Sequence, residues 1–165
     1  MSFAAHALHG KPEFCTRVAT DPAFTLAFVH ELRRFYPFVP LLGARARHDL
    51  AIGGDEIPTR GLLVLDVFGH LHDPHWWRQP NRFDPARFLG FEVDPFTLIP
   101  QGGGDVRTGH RCPGEDITVA ALCGLVARLA AMTYEMRTPV DQVPLHRIPA
   151  LPKGGTVIRR VKLPV

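Results

Sequence analysis

The chain has 165 residues, 45% of them hydrophobic and 21% charged, with a formal net charge of +3. These values suit one globular domain or part of one and exclude a disordered polyelectrolyte. The basic residues are scattered apart from pairs such as Arg33-Arg34 and Arg159-Arg160, which excludes a nucleic-acid-binding stripe.

The N-terminal third reads as helical. Ser2 to Leu8 resembles the last turns of a longer helix stopped by Gly10, with no N-cap signal ahead of it. Lys11 to Ala19 suits a brief helix with Pro12 near its start. Asp21-Pro22 opens a stronger helix, with Asp21 as N-cap and Pro22 at the first position, running to about Arg34 and ending before Pro37. Phe24, Ala27, Phe28, Leu32 and Phe35 give it one apolar face. From Arg45 the period changes: Leu50 and Ile52, Gly53-Gly54, then Leu62 to Val67 predict a hairpin or small sheet. Residues 68–100 form a proline-punctuated meander, and a helix is predicted over 114–132. A polar stretch from 137 to 153 then leads to a last strand at Thr156 to Val161. The 16 prolines and 15 glycines concentrate between 37 and 114 and again after 139, which keeps the elements there short.

Three cysteines, Cys15, Cys112 and Cys123, are odd in number and lack paired spacing. A disulfide framework is therefore not expected, and a reducing cytoplasm is. The start has no charged segment followed by an apolar one, so no signal peptide is expected. The apolar run near 117–132 is too short to cross a bilayer, so no membrane association is expected.

The segment Gln101 to Glu115, QGGGDVRTGHRCPGE, carries the most information. Its glycines let the backbone approach a large flat partner closely. Pro113 suits the first turn of the following helix, and Glu115 and Asp116 suit its positive end. Cys112 then stands near a helix N-terminus among cations, where a thiolate is stabilised and an axial haem ligand is possible. The plainer alternative for Cys112 is a small buried cysteine, the reading kept for Cys15 and Cys123.

Three features in fixed order carry a resemblance: Glu31-Leu32-Arg33-Arg34 on a helix, Phe83-Asp84-Pro85-Ala86-Arg87-Phe88 in the meander, and Cys112-Pro113-Gly114 before an apolar helix. Together they resemble the cytochrome P-450 family of haem-thiolate enzymes. The family's usual loop would place Phe, Gly and Arg at 105, 108 and 110, where this chain has Asp105, Thr108 and His110. The glycine-rich loop and the RRFYPF segment at 33–38 are similar to the fatty-acid peroxygenase branch, whose members oxidise fatty acids with hydrogen peroxide and need no reductase partner.

The resemblance implies a mainly α fold with small β-sheets, residues 1–165 forming the C-terminal, proximal haem-binding part of a P-450 domain. It implies haem b as cofactor and Cys112 as axial ligand of the iron, with backbone N–H groups around Gly114 bonding the sulfur. Candidate propionate partners are His110, Arg111 and Arg45, each of which has the alternative of a solvated surface charge. Glu31, Arg34 and Arg87 are expected as a buried structural network, the alternative being a surface salt bridge. The distal wall and the Arg that captures a fatty-acid carboxylate are expected upstream of this chain, which is expected to be a fragment, a split subunit or a truncated product, inactive alone. Two other readings remain: a remnant that binds no haem stably, and a small zinc or nucleic-acid module using the His and Cys residues, although the cluster His70, His72 and His75 lacks the second ligand pair that zinc sites usually have.

Overall fold

The computed structural model describes residues 1–90, 92–136, 143–152 and 155–163. Five α-helices and three two-stranded antiparallel ribbons carry most of the regular structure of the described residues. Helix α1 covers Ser2–Gly10 and is followed by a 3-10 turn at Pro12–Phe14 and by α2, Cys15–Thr20. Helix α3, Pro22–Phe35, starts as the sequence predicts: the Asp21 carboxylate accepts from the Phe24 N–H at 3.1 Å, supplying one donor that the first turn leaves free.

Strand β1, Leu41–Arg45, follows Pro37 and Pro40 and was not expected from the sequence. It pairs with β4, Leu62–Asp66, in the register Leu41 to Asp66 through Arg45 to Leu62. Between them lies a separate hairpin, β2 at Leu50–Ile52 and β3 at Asp55–Ile57. Gly53 and Gly54 turn it with φ of 62° and 97°, the doubly positive backbone that a two-residue hairpin turn needs. The expected hairpin or small sheet is thus two nested ribbons. Val67, expected at the end of a strand, instead opens a one-turn helix, α4, Val67–Leu71, because Asp66 caps it by accepting from the Gly69 N–H at 2.7 Å.

The meander contains a 3-10 turn at Pro85–Phe88 and leads through the cysteine segment to the long helix α5, Glu115–Ala131. Gly114 is its N-cap, so Pro113 lies just outside the helix and not in its first turn as the sequence suggested. Strand β5, Thr133–Met136, has no expectation from the sequence and pairs with β6, Ile158–Lys162. Much of the polar stretch expected at 137–153 lies outside the described residues.

Two apolar clusters flank α3. The larger joins Phe3, Leu8, Val18, Phe28, Leu32 and Val126 from α1, α2, α3 and α5, with Phe83 reaching in from the meander. The smaller holds Ala27 of α3 against Val67, Leu71, Trp77, Phe88 and Leu98. Phe28 is fully buried and meets Phe83 edge-on at 5.3 Å, so it joins helix to meander directly. Replacing it by Ala, Phe28→Ala, is expected to cost about 3–5 kcal/mol through lost burial and the cavity left behind. Urea unfolding measures this, and a loss below about 1 kcal/mol would mean that the cluster can collapse around the gap.

Candidate functional site

The site is assembled from the α3 backbone outward. Glu31 and Arg34 are three residues apart and so share a helix face. Both side chains are fully buried, and the guanidinium meets the carboxylate by two parallel bonds, Nε to Oε2 at 2.7 Å and Nη2 to Oε1 at 2.9 Å. Arg87 comes from the 3-10 turn and places Nε 3.1 Å from Glu31 Oε2, an ion pair without the alignment of a hydrogen bond. The Asp84 N–H also donates to Glu31 Oε1, at 2.7 Å. The two arginines spend their other donors on carbonyls: Arg34 on Leu71 at 2.7 Å, Arg87 on Arg78 at 2.9 Å and Arg82 at 3.2 Å. One carboxylate therefore fixes α3, the end of α4 and the meander to one another.

A second buried cluster was missed by the sequence reading. Arg33, beside Arg34, donates to Glu115 at the start of α5, and Arg111 donates to the same Glu115 oxygen at 2.9 Å. Sequence reasoning assigned Glu115 to the helix dipole alone, because nothing in a linear pattern pairs residues 33 and 115.

The cysteine segment is closed by backbone bonds. The Cys112 N–H donates to the Gln101 carbonyl at 2.9 Å, and the Cys112 carbonyl accepts from the Glu115 N–H at 3.2 Å. Gly102 has φ of 91°, and a Cβ there would lie 1.8 Å from the His110 carbonyl oxygen, so only glycine lets the two strands of the loop touch. Asp105 and Thr108, which stand at departures from the usual family loop, are partners: Asp105 accepts from the Arg107 and Thr108 N–H groups and from the Thr108 hydroxyl. Those bonds hold its carboxyl below the usual carboxylate range.

The loop and the β1–β4 ribbon face each other across a cleft of about 820 Å³. Cys112, half-buried, lies on one wall with Gly102 and His110, and Leu42, Ala44 and Leu65 form the other. The apolar walls, the glycine cradle and a single thiol suit a large flat apolar group bound through sulfur. Cys15 and Cys123 sit elsewhere, and burial pushes both thiols up, which disfavours the thiolate a metal needs. His110 is exposed on the cleft. Arg111 has its guanidinium committed to Glu115 and to the Pro95 carbonyl at 3.3 Å. Arg45 turns to the Arg60 carbonyl at 2.9 Å and does not line the cleft. His70 and His72 bond the Thr97 and Phe68 carbonyls, and no metal-holding group of three His, Cys, Asp or Glu occurs among the described residues.

The family model described as Cytochrome P450 matches residues 6–129. The chain belongs to the cytochrome P450 family. This P450 chain is 36% identical over 108 residues to carnosic acid synthase of Rosmarinus officinalis, covering 62% of the chain and 20% of that protein. To tabersonine 16-hydroxylase 2 of Catharanthus roseus it is 30% identical over 139 residues, covering 81% and 26%. Among solved structures, a variant of cytochrome P450 OleT in complex with arachidonic acid superposes with a TM-score of 0.87 at 41% identity, covering 99% of this chain and 39% of that one. Cytochrome P450EX alpha with myristic acid gives 0.85 at 36% identity, covering 98% and 40%. The similarity falls on the branch that the cysteine loop resembles, and the fold is a partial P450 fold. The P450 chain spans about two fifths of those solved chains and less of the curated relatives. No helix among the described residues is long and apolar enough to cross a membrane.

His30 gives this site a measurable pH response. It is half-buried beside Arg33, whose Nη1 lies 3.4 Å from its Nδ1, and burial followed by the Arg33 charge lowers its pKa to about 4. An unfolded histidine titrates near 6.5. Between those values the unfolded chain binds more protons, so the His30 contribution is present above about pH 6.5 and is lost as pH falls towards 4. His30→Gln should flatten that part of the stability profile, measured as urea midpoints from about pH 4 to 7. An unchanged slope in the variant would show that His30 does not carry it.

Proposed function

We propose that residues 1–165 form the proximal part of a haem-thiolate oxidoreductase domain. In the complete enzyme this domain oxidises fatty acids with hydrogen peroxide, in the cytoplasm and without a reductase partner. The observation that carries the reading is the placement of Cys112 on the wall of an apolar cleft, in a loop shaped around Gly102. It is supported by the family match and by the likeness to OleT and P450EX alpha, which are described with arachidonic and myristic acid bound.

The cofactor is haem b, and when bound it supplies the iron at which the O–O bond of a peroxide is activated. Cys112 would hold that iron through its thiolate. Gly114 lies close by, with room beside the sulfur: a Cβ at that position would be 3.9 Å from Sγ. An N–H bond from this turn to the sulfur would temper its donation. His110, exposed on the cleft, is the candidate left free for a propionate, since Arg111 is engaged elsewhere and Arg45 lies outside the lining. The apolar side chains of the cleft, Leu42, Ala44 and Leu65 among them, would shield such a group from water. Glu31, Arg34 and Arg87 perform no chemistry in this reading and hold the meander and helix in register. No residue of this chain is assigned to capture of the fatty-acid carboxylate or to acid–base catalysis, and the chain alone is inactive towards fatty acids.

The test is to load the purified chain with haem b and record the reduced carbon-monoxide spectrum. Cys112→Ser is expected to lose the thiolate-type band, while Cys15→Ser and Cys123→Ser keep it. Added hydrogen peroxide and a long-chain fatty acid should give bleaching of the haem without selective hydroxy-acid or alkene products. Persistence of the thiolate band in Cys112→Ser would overturn the ligand assignment, and selective turnover by the chain alone would overturn its dependence on a distal part.

A further inference from the structure

The turn that carries Cys112 is bracketed by an ion pair. Arg111 precedes the cysteine, Glu115 follows the turn, and Arg111 Nη2 donates to Glu115 Oε1 across the bend at 2.9 Å. The same oxygen receives Nη2 of Arg33 from α3. Arg33 and Glu115 are both more than nine-tenths buried, and Arg111 is 16% exposed. Between the bracketing residues, Pro113 and Gly114 have no polar side chain to offer. Apart from this carboxylate, the turn is tied by the Cys112 N–H to Gln101, by Arg111 Nη1 to the Pro95 carbonyl at 3.3 Å, by the Glu115 N–H to the Cys112 carbonyl, and by the Thr118 N–H and hydroxyl to the Gly114 carbonyl.

Part of the cluster is left unpaired. Glu115 Oε2 and Arg33 Nε are buried with no hydrogen-bond partner among the described residues, and each such atom carries a desolvation cost. Two guanidinium groups converge on one oxygen while the other is left unused. What that geometry does achieve is to join the residue before Cys112 to the residue after its turn, and both to the helix whose next residue, Arg34, holds the meander.

We infer that Glu115 is a positioning residue for the Cys112 sulfur: by holding Arg111 and Arg33 on one carboxylate oxygen, it clamps the cysteine turn to α3 and fixes where the sulfur meets the cleft. The Glu115 side chain does not line the cleft and acts through its two arginines. The inference rests on the reading of Cys112 as the haem ligand. It assigns Arg111 to the clamp and withdraws it from the propionate.

Two variants test it, Glu115→Leu and the paired Arg33→Met with Glu115→Leu. The single change leaves two cations without their carboxylate and is free to unfold the chain. The paired change leaves no charge on α3 uncompensated and should return the urea midpoint most of the way to the parent, because apolar replacement of a buried pair is often neutral and the one cation left without a carboxylate, Arg111, is partly exposed. Arg111 still lacks its carboxylate in the paired variant and keeps only the Pro95 carbonyl, so the turn should remain loose. Alkylation of Cys112 in the haem-free chain, followed by peptide mass spectrometry, is expected to quicken by about tenfold through local opening, with Cys15 unchanged as the internal control. With haem b bound, the paired variant should convert from the thiolate-type carbon-monoxide band to the displaced form faster than the parent. Recovery of both stability and parental Cys112 behaviour in the paired variant would reduce Glu115 to a structural anchor and overturn the inference. A parent chain with slow Cys112 alkylation but no thiolate band would leave the clamp standing and would instead sink the proposed function.

Discussion

Everything in this chain hangs on a carboxylate with no access to water. Glu31 is fully buried and meets Arg34 by a two-pronged bond and Arg87 by an ion pair, while also accepting from the Asp84 backbone. Such a group is tolerated only when its lone pairs are met, and removing one partner from a buried pair costs about 3–5 kcal/mol. The meander between α4 and the cysteine segment has little regular structure and few long-range ladders of its own. Its path is set by what it offers Glu31 and its arginines: the Arg78 and Arg82 carbonyls, the Asp84 N–H and the Arg87 guanidinium.

Adjacent arginines on α3 divide the work. Arg34 binds the meander through Glu31, and Arg33 binds the start of α5 through Glu115. Phe28, one helical turn before Leu32, supplies the apolar counterpart by meeting Phe83. The helix thus acts as a frame on which the loop bearing Cys112 and the turn bearing Arg87 are both hung. The β1–β4 ribbon contributes differently: its exposed leucines form the far wall of the cleft, with little burial of their own.

The sequence was most legible where local chemistry decides the structure. Asp21-Pro22 marked the start of α3, and Gly53-Gly54 marked a turn, because a cap and a positive φ each need particular residues. It was least legible where tertiary pairing decides. Leu41–Arg45 follows two prolines and becomes a strand only because Leu62–Asp66 returns beside it, and Thr133–Met136 becomes one only against Ile158–Lys162. The ordered family-type motifs pointed to the cysteine loop and to Glu31, Arg34 and Arg87 as one cluster. The partnership of Arg33 with Glu115 had no such signal, since its members are 82 residues apart and nothing in the motifs that contain them pairs one with the other. Asp105 and Thr108 looked like departures from a pattern when read singly, and the structure shows them closing a turn together.

A double-mutant cycle between Glu31 and Arg87 probes the shared carboxylate without reference to any cofactor. Glu31→Gln, Arg87→Gln and the two combined are compared by urea unfolding of the chain. If Glu31 holds helix and meander together, the combined loss should fall short of the sum of the single losses by about 1–3 kcal/mol. Single losses that add to within about 0.5 kcal/mol would show that the two side chains act independently and that the meander is held by something else.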